Sequence, residues 1–103
     1  MFGWRKERKI KSRILTLINL AGQLGLNEKD IKIAKEYLEY YEWGLSFEHL
    51  ITQIFEYDVE INQLFYKMVS DIAVDLKLPD SEYSFLLSLI KPGFLNREFN
   101  LDV

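Results

Sequence analysis

The nearest approach in this chain to a base beside a nucleophile is His49, its one histidine, with Ser46 three residues earlier. Acyl-transfer chemistry would also need a third group to orient the imidazole and an oxyanion-binding turn. No glycine-rich elbow surrounds Ser46. A single histidine cannot supply the paired imidazoles of a zinc site, and there is no cysteine to supply thiolates, disulfides or a thiol nucleophile. Carboxylate pairs do fall on single helix faces: Glu36/Glu39 at i,i+3 and Asp71/Asp75 at i,i+4. A metal or glycosidase site needs a second set of ligands brought in from elsewhere, and solvated helix faces account for these pairs more simply. Phosphate-cradling glycine loops and dinucleotide fingerprints do not occur. The expectation is a protein without catalytic activity, metal or cofactor, with His49 at the surface or a helix boundary.

A second grouping is better suited to binding. Tyr37, Tyr40, Tyr41, Trp43 and Phe47 are interleaved with Glu36, Glu39, Glu42 and Glu48. Helical spacing puts Tyr37 and Tyr41 on the apolar side, with Phe47 assigned to packing as well. Glu36, Tyr40 and Trp43 fall on the other side. Exposed rings among acids suit a cationic protein partner, because rings supply buried area and cation–π contact while carboxylates hold Lys and Arg. The alternative for Trp43 is a plug in the corner between two helices.

Charge is unevenly distributed. Residues 1–13 carry Arg5, Lys6, Arg8, Lys9, Lys11 and Arg13 against Glu7, a local charge of +5; with −3 overall, the remaining residues hold −8. Seven of those acids lie between Glu36 and Glu60 (Glu36, Glu39, Glu42, Glu48, Glu56, Asp58 and Glu60), and no Lys or Arg occurs between Lys35 and Lys67. An acidic stretch of this kind favours a basic partner and disfavours nucleic acid there. The basic run could line a helix face toward phosphates through Arg5, Lys9 and Arg13 or Lys6, although a solvated outer face of the first helix explains it more simply.

These residues must be positioned by helices. At 103 residues, 49% hydrophobic and 15% aromatic, the chain has one domain's worth of core. Its apolar residues recur at helical spacing and nowhere in sustained alternation. Ile10, Ile14, Leu17, Ile18, Ala21 and Leu24 make the first stripe, closed by Gly25. Asn27 caps the second helix, with Leu26 and Ile31 as its staple, and Ile31, Ala34, Leu38 and Tyr41 face inward until Gly44 breaks it. A third helix buries Phe47, Leu50, Ile51, Ile54 and Phe55, and Asp58-Val59 makes the turn. Asn62, flanked by Ile61 and Tyr66, caps a fourth helix that packs Phe65, Met68, Val69, Ile72 and Leu76. Pro79-Asp80-Ser81 opens a fifth, with Tyr83, Leu86, Leu87 and Ile90 inward, and Pro92-Gly93 stops it. The expected fold is all-α, a compact antiparallel bundle of four to five helices in a single domain over 1–103. Residues 1–13 are a basic extension of helix one, and 94–103 an irregular tail that is either docked or frayed. The basic start lacks a cleavable apolar core, and no run approaches the ~20 apolar residues of a membrane span. The expected compartment is cytoplasmic.

The run Tyr37–Leu50, Y-L-E-Y-Y-E-W-G-L-S-F-E-H-L, resembles the MafI-like immunity proteins of bacterial polymorphic-toxin systems. The likeness rests on Glu42-Trp43-Gly44-Leu45 followed by Glu48 and Leu50, an acidic turn at Glu56-Tyr57-Asp58, and the junction Leu76-Lys77-Leu78-Pro79, over roughly residues 28–90. The basic start of the chain departs from that pattern. The resemblance implies an all-helical protein that binds and blocks a cognate toxin domain, often a nuclease. With the charge distribution, it makes Glu36, Glu39, Tyr40, Glu42, Trp43, Glu48, Glu56 and Asp58 the candidate contacts to a basic toxin. No contact to nucleic acid or membrane is expected on this reading. The alternative is a helical adaptor or regulator that touches nucleic acid through its basic N-terminal helix.

Overall fold

The computed structural model describes the backbone of residues 2–91 and the side chains of residues 8–91. Pro92-Gly93 and the tail 94–103 lie outside the described residues. Four α-helices, α1 (Phe2–Leu24), α2 (Glu28–Glu39), α3 (Trp43–Glu56) and α4 (Gln63–Asp75), are followed by two short 3-10 segments, Asp80–Glu82 and Ser84–Leu89. They form an all-α bundle in which α2 and α3 pack as a hairpin and α1 lies against α2, α3 and α4. Among the described residues, no helix is long and apolar enough to cross a membrane.

The expected stripes make the core. Ile10, Ile14, Leu17, Ile18 and Ala21 of α1 are buried with Ala34 and Leu38 of α2, Phe47, Leu50, Ile51 and Ile54 of α3, and Phe65, Val69, Ile72 and Ala73 of α4. Helix starts follow the sequence signals. Asn27 Oδ1 accepts from the Asp30 N–H at 2.9 Å, and Asn62 Oδ1 accepts from the Phe65 N–H at 2.8 Å. Each cap satisfies one of the backbone donors a helix start leaves free. Leu26 is buried ahead of the first cap and Ile61 ahead of the second, the placement of a hydrophobic staple.

Helix ends follow one rule, only partly visible beforehand. After α1, Leu26 N–H bonds Ala21 C=O and Gly25 N–H bonds Gly22 C=O; the same pair of bonds recurs after α2 (Glu42 to Tyr37, Tyr41 to Leu38), α3 (Val59 to Ile54, Asp58 to Phe55) and α4 (Leu78 to Ala73, Lys77 to Val74). This is the Schellman arrangement, which requires a left-handed residue at its turn. Those residues are Gly25 (φ +117°), Tyr41 (+62°), Asp58 (+51°) and Lys77 (+60°).

The expectation that Tyr41 continues the α2 stripe and that Gly44 breaks the helix is therefore corrected. The chain reverses at Tyr41, whose positive φ turns its side chain off the helix face and leaves it 73% exposed. Gly44 lies inside the first turn of α3, with nothing within 4 Å of where a Cβ would sit.

Two further expectations are revised. Phe55 is 41% exposed: it lies ~100° round the helix from Ile54, and its ring meets Phe85 edge-on at 5.1 Å. The fifth element is 3-10 rather than α, so its inward residues recur every three positions. Tyr83 and Leu86 are buried and Leu89 half-buried, while Leu87 points outward at 53% exposure. The segment ends on a single parallel bridge between Ile90 and Ile61, with Ile61 N–H donating to Leu89 C=O and Lys91 N–H to Ile61 C=O, both at 3.0 Å. Nearby, Tyr66 packs on Tyr83 at 5.7 Å between ring centres. Burial, then the neighbouring Tyr83 and Asp80, hold the Tyr66 hydroxyl above the usual tyrosine range.

Left-handed backbone costs a residue with a side chain ~1–2 kcal/mol, of which glycine recovers part after its own entropy cost. Lys77→Gly should accordingly raise unfolding free energy by about 0.5–1 kcal/mol in urea titrations. Gly44→Ala should raise it by a similar amount, about 0.5–1 kcal/mol, through helix propensity. Gly25→Ala should lower it. A destabilised Lys77→Gly protein would mean that the turn after α4 is not a left-handed cap.

Candidate protein-binding surface

The α2–α3 hairpin carries seven of the eight residues singled out from the sequence, and Asp58 lies just past its end. Glu36, Glu39 and Tyr40 lie along an open groove on the outer face of α2, with Lys32 and Lys35 in the same groove. Tyr40 is 77% exposed. Glu42 is the N-cap residue of α3 and makes no side-chain capping bond. Glu48 stands one and a half turns on, at the rim of a second pocket between the two helices. Glu56 and Asp58 belong to the far end of α3. At 1.5 Å per residue that end is ~20 Å from Trp43, so the eight residues form a band with two ends rather than one cluster.

Trp43 fills the corner instead of standing proud. It is half-buried and packed against the core. Its indole Nε1 is fully covered and has no hydrogen-bond partner among the described residues. Tyr41 meets it edge-on at 6.4 Å, and the Lys11 ammonium sits 5.7 Å from the Tyr41 ring centre. The left-handed turn at Tyr41 thus presents one aromatic ring outward as a lid on the other.

None of Glu36, Glu39, Glu42, Glu48, Glu56 and Asp58 takes part in an ion pair among the described residues, and all six are exposed. Glu60, the seventh acid of the stretch, does, with Lys91 at 3.3 Å. Two basic residues near the start of the chain are spent differently. Arg13 pairs with Asp75, joining α1 to α4, and Lys11 is occupied over Tyr41. The line Arg5–Lys9–Arg13 suggested for phosphates has its last member in a partly exposed pair with Asp75. No family model, curated protein or solved structure matches the chain.

Behind the acidic band is a polar network that the spacing of its members did not foretell. Asp30, only 6% exposed, accepts from Asn27 Nδ2 at 2.8 Å through Oδ2 and lies 2.9 Å from His49 Nε2 through Oδ1. Tyr37 tilts against the His49 ring, centres 6.1 Å apart. The expected boundary histidine is therefore a half-buried one with a fixed partner. Ser46, fully buried, donates to the Ala34 carbonyl at 2.7 Å, so its hydroxyl joins α3 to α2 rather than serving His49. The visible clue was Asn27-x-x-Asp30, a helix-start signature; the 19-residue step to His49 becomes a contact only when the hairpin closes. Among the described residues, no group of three or more His, Asp or Glu could hold a metal ion.

Hydrogen bonds to a charged group contribute ~1.5–3 kcal/mol each and cost more when one partner is stranded. Asp30→Ala should therefore lower unfolding free energy by about 2–3 kcal/mol. In that background His49→Ala should cost at least ~1 kcal/mol less than it does alone, because contacting residues couple. A double-mutant cycle in urea measures both, and additive costs would show that the two side chains do not act together.

Proposed function

We propose that this chain is an immunity protein, which captures a cognate toxin domain in the cytoplasm and holds it inactive. The observation that carries the proposal is the set of six exposed carboxylates on and beside the α2–α3 hairpin that form no ion pair among the described residues. Such a band adds self-repulsion and nothing to the core, while a strongly basic partner surface would be drawn to it. Toxins that cleave nucleic acid must bind phosphates and so carry such surfaces; an acidic inhibitor covers them as a polyanion would. Complementary charge also speeds capture, before damage is done. The exposed rings of Tyr40 and Tyr57 add contact area with few rotatable bonds. The resemblance of Tyr37–Leu50 to the MafI-like immunity proteins points the same way.

The test is protection of cells by co-expression with the toxin encoded beside this gene, and no protection against unrelated toxins. The double reversal Glu39→Lys, Glu42→Lys leaves every core residue in place. Its lysine at the start of α3 opposes the helix dipole and should lower stability by only about 0.3–1 kcal/mol. Toxin binding should weaken by about 2–5 kcal/mol if the two carboxylates face desolvated cations, and less, mainly through slower association, if they lie at the rim. Glu60→Lys removes only the exposed pair with Lys91 and should change binding by less than ~1 kcal/mol. A folded double variant that still protects cells fully would remove this end of the band from the interface. Failure of the unaltered protein to protect against any neighbouring toxin would remove the function itself.

A further inference from the structure

Between α2 and α3 the surface dips into an open pocket of about 230 Å³ lined by Tyr37, Leu45, Glu48, His49, Thr52 and Gln53. We propose that this pocket is a socket for one arginine side chain of a protein partner. That partner is the one invoked above, and the inference rests on that reading for its biology although not for its chemistry.

Size is the first argument. Small-molecule sites usually enclose ~300–1,000 Å³, whereas this pocket suits a single long side chain. The second is charge. Among the described residues no Lys or Arg lines it, and its one carboxylate, Glu48, is in no ion pair. The groove beside it on α2 differs, since Glu36 and Glu39 there stand four residues from Lys32 and Lys35. Hydrogen-bond capacity is the third. The Asp30 carboxylate can only accept, so His49 Nε2 carries a hydrogen toward it and the imidazole is held in one orientation on the pocket wall. Because Asp30 is buried and also held by Asn27, that ring position is set before anything binds. Thr52 and Gln53, also in the lining, carry a hydroxyl and an amide oxygen that can accept.

These features select arginine over lysine. A guanidinium is planar, carries five donors and stacks on an aromatic face, whereas an ammonium is a compact point charge. Tyr37, braced against His49, supplies the ring, and Leu45, 45% exposed, supplies an apolar rest for the methylene stem.

The socket can be probed without the toxin. Acetyl-Gly-Arg-Gly-amide is titrated into the full chain by NMR, beside the same peptide with lysine or citrulline in place of arginine. Saturable shifts are expected at Tyr37, His49, Thr52 and Gln53 with arginine, about threefold or more weaker binding with lysine, and no saturation with uncharged citrulline. Glu48→Gln should weaken the arginine peptide about fivefold, the upper range for an exposed ion pair, while Glu56→Gln at the far end of α3 should not. The proposal is overturned if arginine produces no saturable shift, if citrulline does as well, or if Glu56→Gln costs as much as Glu48→Gln. Saturation by arginine in a protein that protects against no toxin would leave the socket standing and sink the immunity function. Full protection without peptide binding would do the reverse.

Discussion

Helices of 23, 12, 14 and 13 residues can share one core only if the chain reverses within two or three residues after each of them. Every helix here meets that constraint in the same way, with one residue in the left-handed region and two backbone bonds closing the turn. Three of the four turn residues carry side chains, a strain of a kind proteins retain where the surrounding structure over-determines it. At Tyr41 the consequence is visible: the turn that makes the hairpin also throws a tyrosine outward, across Trp43 and under Lys11.

The hairpin is then locked from inside by polar groups rather than by apolar packing alone. Ser46 to Ala34 and His49 to Asp30 each tie α3 to α2. Buried polar groups of this sort confer geometry more than net stability, because desolvation offsets much of their hydrogen-bond energy. What they confer here is a fixed imidazole and a fixed spacing between the helices, on which the outer carboxylates ride. Two basic residues of α1 are directed to other partners, Arg13 to Asp75 and Lys11 to Tyr41.

Much of the candidate surface was legible beforehand because exposure of carboxylates follows from helical spacing. Glu36, Glu39 and Tyr40 fall opposite Ala34 and Leu38 by the 3.6-residue period alone. The same period misplaced Tyr41, since periodicity assumes that the helix continues and the left-handed turn ends it. It also misplaced Leu87, where a three-residue period replaces the α-helical one.

Apolar stripes, the asparagine caps and the segregation of charge are local properties, and the sequence by itself determined them: four helices, their buried faces, and an acidic stretch without internal cations. What only the tertiary structure decided depends on approach between distant segments. The pairing of Asp30 with His49, the corner position of Trp43 and the pocket at Glu48 exist because α2 and α3 pack antiparallel at one register. No spacing along the chain encodes that register. It emerges from side-chain packing across the hairpin, which is why the acids could be named in advance and the socket beside them could not.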